Sequence, residues 1–150
     1  MIDKRETILL RILTVLTDMD DIEAAYRNRA EFPTTKMPLA VVLDGNEQRV
    51  TQTRGRGQPP ALVRLLPQIF VIIKPRTEAN NEGAGEELSV LRTHVLAALF
   101  TDMTLRGLLG ENGCVEYLGC ETDMQTGSSM EGQMKIDLAF EYMLDMDELT

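Results

Sequence analysis

His94 is the one histidine of this 150-residue chain, and Cys114 and Cys120 are its two cysteines. A nucleophilic site needs a hydroxyl or thiol beside a base that a third group orients, and no serine, histidine and acid fall together in this order of residues. Helical phase puts His94 on the flank of an apolar stripe, which suits a packed or interface residue better than a catalyst. One histidine and two cysteines fall short of the four ligands of a structural zinc site. On a strand, the even separation of Cys114 and Cys120 puts both on one face, too far apart to bridge, so they read as two small buried hydrophobes.

The acidic group Asp18, Asp20, Asp21 and Glu23 has the composition of a calcium loop but lacks the central glycine and the distant glutamate of that motif. A solvated helix end is the expectation. Gly55-Arg56-Gly57 and Gly83-Ala84-Gly85 are isolated G-x-G matches, and neither runs into the G-K-[S/T] that cradles phosphate. The formal charge is −9 and tryptophan is absent, which opposes both a phosphate-binding footprint and the stacking platforms of a single-strand binder. The residues therefore predict no catalytic group, no cofactor, no metal, and no specific nucleic-acid binding. The chain reads as a binding protein and not an enzyme.

Two features could do that binding. Arg49, Arg54 and Arg56, with Arg64 after them, make a local positive patch in an otherwise acidic chain. They fall in or beside a polar stretch, residues 46–60, that reads as a long exposed loop or as the tips of two strands with a loop between. Such a patch either keeps the loop soluble or pairs with an acidic partner surface. The second feature is a helix over residues 86–101. Its core stripe is Leu88, Leu91, Val95, Ala98 and Leu99, yet Val90, Leu96, Ala97 and Phe100 lie off that stripe. A helix apolar on more than one side is either fully wrapped or has a second partner, and nine methionines suit adaptable contacts. Arg49, Arg54, Arg56, Arg64, Val90, His94 and Ala97 are the candidate interaction residues.

The elements that must position them are set by periodicity. Ile8, Leu9, Ile12, Leu13 and Leu16 predict a helix over residues 4–17 capped by Asp3. Residues 22–28 alternate as a short edge strand. Residues 39–43 form an apolar strand closed by a tight turn at Asp44-Gly45. A long strand runs over residues 61–76, central from 68 to 74, with a bulge or unpaired position at Pro67. Residues 77–85 connect it to the helix. A short helical turn over 103–109 ends at Gly110, and strands come next at 115–120 and 133–143 around a Gly/Ser-rich tip at 122–132. The second of these alternates Met134, Ile136, Leu138, Phe140 and Tyr142 against Lys135, Asp137, Ala139, Glu141 and Met143, as a half-buried antiparallel strand does. Without βαβ alternation, the fold class is α+β: a mainly antiparallel sheet of about five strands with helices packed on one face. Residues 1–150 suffice for a single domain, and no apolar run approaches the ~20 residues of a membrane span.

Several phrases carry a resemblance. After the amphipathic first helix come AAYRNRAEFP at 24–33, MPLAVVLDGNE at 37–47 and LLPQIFVII at 65–73, and the last strand is KIDLAFEYML at 135–144. In order of elements and in these phrases the chain resembles the tail terminator, or tail completion, proteins of long-tailed bacteriophages, in the minor tail protein U-like group. That resemblance spans nearly the whole chain. It implies a virion structural protein of the tail, assembled in the bacterial host cytoplasm. It further implies a homo-hexameric ring that caps the head-proximal end of the tail tube and ends its polymerisation. The implied partners are further copies of the chain, the phage tail tube protein, and a head-completion or connector protein. Another neck or tail-tube protein, and a small cytoplasmic enzyme of unknown reaction, are the alternatives.

Overall fold

A computed structural model of the chain describes residues 3–29, 31, 35–50, 61–73, 82–124 and 132–144. At its centre is a twelve-residue strand, β3 (Ala61–Ile72), in which β-branched and leucine residues alternate between the two faces. β2 (Leu39–Arg49) and β5 (Gly132–Leu144) flank it, β1 (Ala24–Arg27) pairs with β2 at one margin, and β4 (Cys114–Met124) pairs with β5 at the other. The order is β1-β2-β3-β5-β4, antiparallel throughout except for β1, which runs parallel to β2. The fold is α+β, as the sequence predicts.

Three helices cover one face of this sheet: α1 (Lys4–Thr17), α2 (Glu82–Thr101) and α3 (Met103–Leu109). α1 begins where Asp3 accepts the Glu6 backbone N–H at 3.2 Å, the predicted cap. Its buried stripe is Ile8, Leu9, Ile12, Val15 and Leu16. α3 begins at Asp102, which accepts the Leu105 N–H and also takes a two-pronged ion pair from Arg11 of α1 at 2.7 and 2.9 Å. One side chain thus caps a helix and ties it to another. The core joins these helices to Ala40, Val42, Val63, Leu65, Ile69 and Val71, and to the even-numbered residues of β5 from Met134 to Tyr142. The even positions of β5 are buried as their alternation predicts, and Ala139 is buried with them.

The structure moves several of the predicted boundaries. The tight turn expected at Asp44-Gly45 is a bulge inside β2: the register jumps from Leu43 opposite Gln68 to Asn46 opposite Leu66. Gly45 sits there at φ +69°, where a Cβ would lie 1.9 Å from the Leu66 carbonyl oxygen, so no other residue fits without moving β3. Residues 46–49 consequently belong to β2, and the Val50 N–H still reaches the Leu62 carbonyl at 2.9 Å. Of the two readings of residues 46–60, a strand tip is the one borne out over 46–49, and residues 51–60 lie outside the described residues. α2 starts at Glu82, four residues before the predicted start, because Gly83 and Gly85 are absorbed in its first turns. β4 is longer than predicted, so residues 122–124 of the expected hairpin tip are strand.

Pro67 behaves as predicted. Leu65 pairs with Phe140 and Gln68 with Asp137, leaving Leu66-Pro67 opposite Leu138-Ala139 without a ladder pair. A residue without an N–H cannot fill that rung.

Candidate interaction surfaces

β2 and β3 carry the first candidate surface. Register sets its geometry: Arg49 is opposite Val63, whose side chain belongs to the helix-side core, whereas Arg64 is opposite Gln48 and Glu141 on the other face. Arg49 and Arg64 therefore do not share a face, and the single patch suggested by their spacing is divided by the pleat. Arg49 is exposed. Arg64 instead donates to Glu116 of β4 at 2.6 Å, and its Nε is buried without a hydrogen-bond partner. Arg54 and Arg56 lie outside the described residues. Beside this end of β2, Tyr142 is almost fully buried and its hydroxyl donates to the Glu47 carboxylate. Burial, and then that carboxylate, push the phenol well above its ordinary range.

A guanidinium fork stands at the bulge of β2. Arg27 of β1 holds Asp44 through two contacts of 2.8 Å and Glu6 of α1 through contacts of 2.6 and 2.8 Å. The hydrogen bonds from Arg27 hold both carboxyls below their usual range. Sequence reading passes over this site because Glu6, Arg27 and Asp44 are remote in the chain and unremarkable singly. β1 is tied to the helix layer and to the bulge of β2 by one side chain.

The second candidate surface is the outer side of α2. Val90 is 47% exposed, and Ala97 and His94 are also exposed, one helical face formed at i, i+4 and i+7. Leu96 and Phe100, predicted to lie off the core stripe, are instead partly buried against it. The spare apolar surface is thus narrower than expected. His94 Nδ1 pairs with Asp21, one of the acids that follow α1. That acidic group is a helix end, as expected, and one of its members is occupied by the histidine. Clefts of about 250 and 380 Å³ flank Val90, one toward Thr93 and His94, the other toward Asp21 and Pro38.

The cysteines correct an expectation. Both are exposed, and they lie on opposite faces of β4. Cys114 pairs with Glu141, and Cys120 with the core residue Ile136. The register shift between Tyr117 and Gly119 adds a residue and reverses the parity that even spacing predicts. The Cys114 thiol donates to Glu141 at 3.3 Å. Partial burial and that carboxylate raise its pKa, which disfavours the thiolate that nucleophilic chemistry requires.

Among the described residues no group of three or more His, Cys, Asp or Glu is placed to hold a metal ion, and no single helix is long and apolar enough to cross a membrane. No protein-family model matches the chain, and no curated protein matches it significantly.

Proposed function

We propose that this protein is a virion structural subunit of the phage tail-terminator type, acting by stoichiometric binding. In this reading copies of it close into a hexameric ring at the head-proximal end of the tail tube, stop tube growth and present a surface to a head-completion or connector protein. The observation that carries the reading is the arrangement of one small α+β unit. Its helices cover one sheet face, an apolar and histidine-bearing side of α2 is left outward, and β2 and β3 lead at their ends into a polar segment with two more arginines. A ring subunit needs at least two different surfaces, because its contacts are head-to-tail and must close.

Electron microscopy of tail tubes grown in the presence of the purified, gold-labelled protein tests this. The expected result is label at one end of each tube and a shorter mean length as the protein is added. Label along the tube wall, or tubes made of this protein alone, would assign it to the tube itself.

A further inference from the structure

We infer that the outer edge of β4 is a docking site for an extended segment of another protein, one that alternates basic with apolar residues and joins the sheet as an additional strand. β4 is eleven residues long, lies at the margin of the sheet, and has no strand beyond it among the described residues. Natural edges are usually blunted by brevity, lysine, proline or a bulge. β1 at the opposite margin is four residues long, whereas β4 contains neither lysine nor proline and has one bulge, between Tyr117 and Gly119.

The register shows which backbone groups this edge offers. The Ile73 N–H donates to the Gly132 carbonyl at 3.0 Å, so Gly132 faces β3, and alternation turns Gln133, Lys135, Asp137, Ala139 and Glu141 toward β4. Their partners Asp123, Glu121, Gly119, Glu116 and Cys114 direct their backbone groups to β5. Val115, Tyr117, Cys120 and Thr122 are left pointing their N–H and C=O groups outward. The side chains of these four lie on the helix side. There Val115 lines a cleft of about 370 Å³ with Phe100 and Leu109. On the other face the edge shows Glu116, Glu121 and Asp123, all exposed, with Asp137 and Glu141 behind them on β5. Arg64 and Lys135 are the cations among these carboxylates, and they do not balance them.

An incoming strand meets this edge with its side chains alternating between the two environments. Those on the helix side meet Val115, Phe100 and Leu109, with Arg106 also lining the cleft, and those on the open side meet carboxylates. Main-chain hydrogen bonds supply affinity and the alternation supplies specificity. A second copy of β4 is a poor occupant, because like charges opposite one another on a shared face are destabilising. Charge complementarity selects a basic segment.

The probe is a synthetic peptide of about nine residues, a common strand length, alternating lysine and valine. It is titrated into the protein in its native assembly, with a glutamate–valine peptide as control. The lysine peptide is expected to bind, to weaken as salt rises, and to slow hydrogen exchange at Val115, Tyr117, Cys120 and Thr122. Thr122→Pro removes an outward N–H and leaves the β5 ladder intact, and E121K with D123K reverses the charge; each is expected to weaken binding roughly tenfold. If Thr122→Pro fails to fold, the charge variant decides. Binding unchanged by that variant, no binding, protection elsewhere on the surface, or protection of these amides by concentration alone would overturn the proposal. The measurement does not depend on the ring, so its failure leaves the tail-terminator reading standing.

Discussion

The two faces of the sheet are made from the same five strands and use their alternation differently. On the helix side the rungs from β2 to β5 end in apolar side chains, apart from Glu47 and Arg49 at the far end of β2, and three helices close over it. On the open side the apolar residues Leu39, Val41, Phe70 and Ile72 gather on β2 and β3 with Met37, while β5 and β4 carry charge. The helix side is what makes the chain fold, and the open side is freer to be shaped by what it contacts. A large buried residue is therefore informative about stability, and an ion pair on the open face about surface chemistry.

Substitutions at matched positions test this difference. Phe140 is fully buried on the helix side and Phe70 partly buried on the open side. Phe140→Ala is expected to cost about 3–5 kcal/mol of unfolding free energy and Phe70→Ala roughly half of that, both read from denaturant midpoints. Equal losses would mean that the open-side cluster is as much a core as the helix side.

The two guanidinium groups differ in the same way. Arg27 forks two carboxylates and Arg64 holds one, with a buried, unpaired Nε. Arg27→Met is expected to cost about 1–2 kcal/mol, against a change within about 0.5 kcal/mol for Arg64→Met. The pH dependence separates them further. Glu6 and Asp44 have folded pKa values lowered by Arg27. Their contribution is therefore complete above their unfolded values near 4 and is lost as pH falls through the lower folded values. Thermal melts from pH 6 to 2 should show a shallower acid limb in Arg27→Met and an unchanged one in Arg64→Met.

The smallest expected effect is on association. Replacing Arg49, Arg54 and Arg56 with serine should weaken assembly several-fold at low salt and reduce its salt dependence, with folding unchanged. Sedimentation that is identical at every ionic strength would remove the arginines from the interface.

The sequence makes much of this scaffold legible. α1, α3 and the alternation of β5 are predicted by periodicity and caps, because each is a local property of the chain. Pro67 also announces its unpaired rung, since a missing N–H has the same consequence in any sheet. The illegible part depends on bulges. Gly45 looks like a turn and Leu118-Gly119 looks like ordinary strand, yet each shifts the parity of the residues after it. The second moves Cys120 to the face opposite Cys114 and so decides which side chains line the edge. The pleat also divides Arg49 from Arg64, which sequence spacing alone groups together. The Arg27 fork joins three distant residues, and no local pattern signals it.

The claim that this protein acts by closing on its own copies is tested most directly by native mass across a wide range of concentration. A single species of six times 16.8 kDa, unchanged as concentration rises, is the predicted result. A stable monomer at high concentration, or a mass that grows without limit into tubes, would contradict it.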